Sequence, residues 1–376
     1  MAPRTPRRTP RSPQSDQLAF SEVPAQIAVI GVGGGGCNAV TRMLQAPPIP
    51  GVKYAVVNTD IKSLRTARLA EKIQIGAALT RGMGAGGNPE VGAQAADSGR
   101  DALQALLKDT DLVFLAAGMG GGTGTGAAPV VADIARESGA LVIGVVTTPF
   151  SFEGARRLDT ALSGVGTIRD RVDNLIVIHN DRLLSLLDKD VSMEEALRRA
   201  DDAVTLGVHS VAELVNLPGE INVDLADVMS IMRLPGQALM AIGEAEGPGG
   251  ALEAAHQAVS IPLLDLSIDG AKGVLFNVKA GLSLKLSEVN AAGEFIGSRV
   301  DPNAIIFFGM ATEPAMKEKA QITVIATGIG SEGAPGAREE GLSQPIWDIT
   351  SPLREPDLDL PPFLRKLPRP RLDLDA

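Results

Sequence analysis

The chain has 376 residues, enough for two domains of ordinary size with tails. Hydrophobic residues make up 44% and charged residues 21%, the balance of a globular protein, while Asp plus Glu (45) exceed Lys plus Arg (35) for a net charge of −10. That charge argues against a general nucleic-acid binder. One Cys excludes a disulfide scaffold and a cysteine-ligated zinc site, three His leave little for a His-rich metal centre, and no apolar run reaches the about 18 residues of a membrane span.

Residues 1–23, rich in Pro, Arg, Ser and Thr, offer no apolar face and read as a disordered basic tail without the apolar core of a secretory signal. From Gln26 short β-branched runs alternate with helical stretches. Strands are expected at Ile27–Ile30, Tyr54–Asn58, Lys72–Ile75, Leu112–Ala117, Leu141–Thr147 and Asn174–Ile178, and helices at Asn38–Leu44, Pro89–Leu107, Gly126–Glu137 and Leu158–Arg171. This alternation predicts an α/β fold with a parallel sheet covered on both faces, in a domain over 24–191. Residues 192–219 predict a long central helix. Ser192 and Glu195 are spaced as a capping box, Met193, Ala196, Leu197, Ala200, Val204, Val208, Val211 and Val215 form an apolar stripe, and Pro218-Gly219 ends it.

A smaller α+β domain is expected over 220–330, with strands at Gly273–Lys279, Ala304–Met310 and Ile322–Thr327, a helix at Leu286–Arg299, and a mixed or antiparallel sheet. Residues 331–355 read as a disordered linker. In 356–376, Leu358, Leu360, Phe363 and Leu364 sit among charges, the pattern of a short linear binding motif.

Glycine is the outlier in composition. There are 42, about 11% against a usual ~7%, and nineteen of them lie between Gly31 and Gly126, which points to close backbone approach to a ligand in that half. Gly31-Val32-Gly33-Gly34-Gly35-Gly36-Cys37-Asn38 follows one strand and opens a helix, the setting in which backbone N–H groups attract phosphate. Its Gly31, Gly33 and Gly36 also satisfy G-x-G-x-x-G, with Asp60 at the end of the next strand where a dinucleotide fold places its ribose acid. A second loop, Gly118 to Gly126, repeats the setting after LVFLAA and adds the hydroxyls of Thr123 and Thr125 as expected phosphate donors. Gly84-Ala85-Gly86-Gly87-Asn88-Pro89 is a third glycine turn before a helix. Three such turns predict one multi-phosphate site at the carboxyl ends of the strands. No G-x-x-x-x-G-K-[ST] is present, so the chain is not a P-loop NTPase.

Taken together the motifs resemble the tubulin/FtsZ family. Gly120-Gly121-Gly122-Thr123-Gly124-Thr125-Gly126 is similar to its nucleotide motif, and GVGGGGCN, VVNTD, GAGGNPEVG, TPFSFEG, INVDLADV and DLPPFLRK occur in the order of its bacterial FtsZ branch. The resemblance covers about residues 26–330 and resumes at 357–366.

It implies a GTP site, with Mg²⁺ held mainly through the nucleotide and no protein metal site. Gly34, Gly35, Gly36 and Asn38 match the first phosphate loop and Gly120 to Gly126 the second. Asn58, Thr59 and Asp60 match the loop after the second strand, and Gly84, Gly86, Gly87 and Asn88 the loop facing the γ-phosphate. Glu153 and Arg157 match residues near the ribose and phosphates, and Asn180 and Asp201 the guanine readers. Without the resemblance, Asp201 and Asp202 read as a solvated helix face. Two departures stand out: Leu197 occupies a position where the family often has Phe, which predicts a more weakly held base, and His179 replaces a frequent Pro.

By spacing alone Asp224 reads as a helix N-cap and Asp227 as a first-turn acid. The resemblance implies that Asp224 and Asp227, with Asn222, form an acidic loop that enters the nucleotide pocket of the next subunit and polarises the attacking water. It further implies a head-to-tail homopolymer, GTP hydrolysis activated by assembly, and a division ring in the cytoplasm at mid-cell. Residues 357–366 would dock membrane-tethering division proteins such as FtsA, without membrane insertion or nucleic-acid binding by the chain itself. Two rival readings remain: an NAD(P)-dependent oxidoreductase built on GVGGGG and Asp60, which leaves the second glycine loop unexplained, and a scaffold that binds GTP but hydrolyses it poorly.

Overall fold

The computed structural model describes residues 25–46, 48–185, 192–216, 221, 223–260 and 267–330. The expected tails, the linker, the 357–366 peptide and Asn222 lie outside these residues.

The first unit runs β1 (Ile27–Val32), α1 (Gly33–Met43), β2 (Val52–Asn58), α2 (Ile61–Thr66), β3 (Glu71–Gln74), α3 (Ala77–Thr80), α4 (Pro89–Ser98), α5 (Arg100–Leu107), β4 (Leu112–Gly118), α6 (Thr123–Glu137), β5 (Leu141–Thr148), α7 (Ala155–Arg169), β6 (Asn174–His179) and α8 (Asn180–Ser185). Its six strands are all parallel in the order β3-β2-β1-β4-β5-β6. Every residue of β1 is buried; Ile27 and Val29 enter one core, and Ala28, Ile30 and Val32 the core on the opposite face. A strand apolar on both faces has to be covered by helices on both, which is why near-continuous β-branched runs alternate with helices here. Strand order reverses between β1 and β4, so the segments leaving their carboxyl ends flank the switch-point crevice where ligands bind in open α/β sheets.

α9 (Met193–Asn216) follows, then α10 (Leu225–Met232), β7 (Gln237–Glu246), α11 (Gly250–Ser260), β8 (Gly273–Ala280), α12 (Leu286–Gly297), β9 (Ile305–Thr312) and β10 (Lys319–Ile329). The second sheet has the order β7-β10-β8-β9, antiparallel except for the β8–β9 pair, which α12 connects as a parallel crossover. It is mixed, as expected. The inner stripe of α9 (Ala200, Val204, Val208, Val211) shares one continuous core with Ile27 and Val29 of the first sheet, Ile231 and Met232 of α10, and Leu275 and Ile325 of the second sheet. α9 is therefore an internal strut between the two sheets.

Several expectations need correction. α1 begins at Gly33, not Asn38, so the first glycine run is the opening turn of a helix. The helix expected over 89–107 breaks at Gly99, where a Cβ would lie 2.8 Å from Ile75 Cγ2. β7 and α11 are additional to the expected elements: β7, QALMAIGEAE, is built of Ala, Met and Glu, which favour helix locally, and pairing with β10 over its length overrides that preference. At the start of α9 Ser192 Oγ accepts from Glu195 N at 3.2 Å, but Glu195 turns its carboxylate to Arg198 and Arg199 instead of closing the capping box. Met193 and Leu197 leave the apolar stripe and are exposed.

Met232 is fully buried where α10 joins the shared core. Met232→Ala is expected to cost about 2–5 kcal/mol and to lower the urea midpoint of unfolding. An unchanged midpoint would show that α10 adds nothing to that core.

Candidate nucleotide site

At the carboxyl edge of the parallel sheet the three glycine turns are packed on one another through their backbones. A Cβ on Gly33, whose φ is +72°, would lie 2.6 Å from Gly124 N, and one on Gly126 would lie 1.8 Å from Pro89 O. Gly36, Gly120, Gly122 and Gly124 are enclosed in the same way, and Gly35 approaches Gly118. By contrast Gly34, Gly86, Gly87 and Gly121 have nothing within 4 Å of a Cβ and border open space. Most of the glycines therefore let loops approach each other, and a smaller set lines the crevice.

The loop after β2 is tied to this arrangement. Thr59, fully buried, shares a 2.6 Å hydrogen bond with Thr123, each through its hydroxyl. Asn58 is turned inward: its Oδ1 accepts from Asp60 N at 3.1 Å and its Nδ2 lies 3.6 Å from Cys37 Sγ. Burial pushes the Cys37 thiol up to about 12, so it stays protonated. Asp60 caps α2, accepting from Lys62 N and Ser63 Oγ at 2.9 Å each, and the backbone hydrogen bond from Lys62 holds its carboxyl below the usual range. Gly84 lies beside Asp60, and Asn88 caps α4 by accepting from Glu90 N at 2.9 Å. Thr125 Oγ1 accepts from Gly120 N at 2.9 Å. Both hydroxyls, expected as additional phosphate donors, also hold the loops together, the two residues being 8% and 5% exposed.

Arg157 and Asn180 fall on the same edge, while Asp201 meets the far end of α1. Asn38 is exposed on α1. Arg157 pairs with Glu153 at 2.9 Å, and its backbone lies against Gly120. Asn180, at the end of β6, is buried, and its Oδ1 has no hydrogen-bond partner among the described residues. Preceding it, His179 Nδ1 contacts Thr148 Oγ1 at 3.1 Å, and burial, with the charge of Arg182, lowers the imidazole's proton affinity. Asp201 is not on a solvated helix face. Its side chain is 19% exposed, burial pushes its carboxyl up to about 6, and Arg42 Nη2 stands 3.4 Å away. Arg42 had no signal in the sequence, because 159 residues separate it from its partner.

Asp224 and Asp227 are elsewhere. Asp224 Oδ1 accepts from Asp227 N at 2.8 Å, capping α10 as the spacing indicated. Burial, then the charge of Asp224, raises the Asp227 carboxyl. The other end of α10 meets the amino edge of the parallel sheet, where Asn174 Nδ2, on the first residue of β6, is 3.5 Å from Met232 O. From Asp201 to Asn216 α9 alone rises about 22 Å. Ile221 is fixed to β9 by reciprocal backbone hydrogen bonds with Met310 at 3.2 and 3.0 Å. Within one chain the acidic pair and the glycine crevice therefore occupy opposite edges. No group of three or more His, Cys, Asp or Glu among the described residues is placed to hold a metal ion.

The doubly covered parallel sheet and its glycine crevice define a nucleotide-binding α/β protein. The Tubulin/FtsZ family GTPase domain matches residues 26–188, and the FtsZ family C-terminal domain matches residues 236–330. An empty FtsZ dimer from M. jannaschii is 38% identical with a TM-score of 0.79, over 85% of this chain and 94% of that one. A single-substitution mutant of M. jannaschii FtsZ is 39% identical with a TM-score of 0.78, over 82% and 92%. CetZ2 from Haloferax volcanii, a GTPγS-bound protofilament, shares the fold at 22% identity and a TM-score of 0.71, over 81% and 93%. The chain belongs to the tubulin/FtsZ family and is a GTPase, which sets aside the oxidoreductase reading.

The packing separates two kinds of glycine experimentally. Gly126→Ala is expected to destabilise by at least about 1–3 kcal/mol or to prevent folding. Gly34→Ala, inside α1 with open space beside it, is expected to raise stability by up to about 1 kcal/mol. Thermal melting of the two variants checks this, and equal melting points would refute the distinction.

Proposed function

We propose that GTP lies across the carboxyl edge of the parallel sheet. Its phosphates face Gly34, Gly86, Gly87 and Gly121, with the backbone N–H groups left unpaired at the start of α1 (Gly34, Gly35) and at the start of α6 (Gly121 to Thr125) as donors, the exposed Asn38 side chain beside them, the turns Asn58–Asp60 and Gly84–Asn88 as walls, and Glu153 and Arg157 beside the ribose and phosphates. The base sits between Asn180 and Asp201 and rests on exposed Leu197. The open cradles at those four glycines and the buried, unsatisfied Asn180 Oδ1 support this reading. Mg²⁺ suits it as a hard cation carried on phosphate oxygens with water completing its shell.

The observation that carries the mechanism is the separation of the two edges within one chain. In our reading, Asp224 and Asp227, with Asn222, complete the site of a neighbouring copy, so that hydrolysis starts when subunits stack head to tail. A heterologous contact that does not close generates an open filament. The M. jannaschii relative is an FtsZ dimer, which supports assembly. Phosphoryl transfer depends on positioning and electrostatics, and a group supplied in trans is worth about 10³–10⁵ in rate in other nucleotide hydrolases. Here two carboxylates orient and polarise the attacking water, and departure of phosphate loosens the contact. The filament then forms the cytoplasmic mid-cell division ring, tethered to the membrane through residues 357–366 and a partner such as FtsA.

Four measurements test these points. GTPase rate per subunit should be near zero at low protein concentration and rise above a threshold; a flat rate would end the proposal of a shared site. Asp227→Asn should keep GTP binding and assembly but lose turnover by at least about 10³-fold. The Asp227 carboxyl is raised and works ionised, so wild-type turnover should fall on acidification at a higher pH than an ordinary carboxylate would give. A chain ending at residue 356 should assemble normally yet fail to bind the tethering partner.

A further inference from the structure

We infer that Arg42 is a positioning residue for base selection: fixed between the end of α1 and the acidic pair of α9, it holds Asp201 in the ionised form that reads guanine. This rests on the proposed role of Asp201 at the base.

The chemistry of the two protonation states gives the reason. An ionised carboxylate presents two acceptors, which match the N1–H and exocyclic amine of guanine. A protonated carboxyl presents one acceptor and one donor, which match the amine and N1 of adenine. The state of this one group therefore decides which purine it prefers. Arg42 stands in the last turn of α1, where a cation is favoured by the helix dipole. Its Nη2 lies 3.4 Å from Asp201 Oδ2 and its Nε 3.9 Å from Asp202 Oδ1. Burial pushes Asp201 up to about 6, Arg42 opposes that rise, and Asp202 adds to it. The neighbouring cations of α9, Arg198 and Arg199, are turned to Glu195. Arg42 is thus the guanidinium that keeps Asp201 charged near neutral pH.

The test uses the full chain below its assembly threshold, with GTP, ATP and XTP affinities measured from about pH 5.5 to 8.5, a range that brackets the raised carboxyl. The GTP-to-ATP affinity ratio is the readout, because titration of the triphosphate is common to both and cancels. In the wild type the ratio should fall as the pH drops through about 6. In Arg42→Gln that fall should begin about one pH unit higher or more, reducing the ratio at pH 7 by up to about tenfold. Arg42→Lys should restore most of the wild-type profile, and a Lys profile displaced as far as that of Gln would overturn the inference. So would a wild-type profile in Arg42→Gln. Asp201→Asn should flatten the profile and favour XTP over GTP. If Asp201→Asn keeps its preference for GTP over ATP, the role of Asp201 at the base fails, and the inference with it. If Asp201→Asn loses that preference while Arg42→Gln is unchanged, the inference about Arg42 alone fails.

Discussion

Backbone packed directly on backbone at the carboxyl edge of the parallel sheet is the contact on which the site depends. The turn after β1, the turn before α4 and the segment between β4 and α6 come so close that a methyl group on Gly33 or Gly126 would collide with main-chain atoms of a neighbouring turn. This closeness puts three sets of N–H groups around one crevice at the point where strand order reverses. The buried hydroxyl pair Thr59–Thr123 and the Thr125 contact to Gly120 N then fix the turns relative to each other. Side chains that local sequence would assign to ligand are used to build the wall.

The second constraint is α9. Its inner stripe belongs to a core that also contains residues of both sheets and of α10. An internal helix of this length fixes the distance between what lies near its start, Asp201, and the loop beyond its end, which Ile221 ties to β9. The separation of nucleotide crevice and acidic pair is thereby a property of the core and does not depend on surface loops. This fixed separation is what the proposed completion of the site by a neighbouring copy rests on.

Carboxylates in this protein divide by environment. Asp60 and Asp224 spend acceptors on helix starts. Asp201 and Asp227 are raised, chiefly by burial, and are the two to which the proposed function gives a role.

Local pattern carried the class of fold and the neighbourhood of the site. Near-continuous apolar runs made β1, β2, β4, β5 and β6 legible, and clustered glycines the three turns, before any contact was known. The cap at Asp224 was legible because N-capping needs only nearby residues. Tertiary structure decided which glycines pack and which line open space, that Asn58 and the threonines face inward, that Met193 and Leu197 leave the core, and that β7 is a strand despite its helix-favouring composition. It also decided that Arg42 meets Asp201. Each of these is set by partners far away in the chain, and no local periodicity records them.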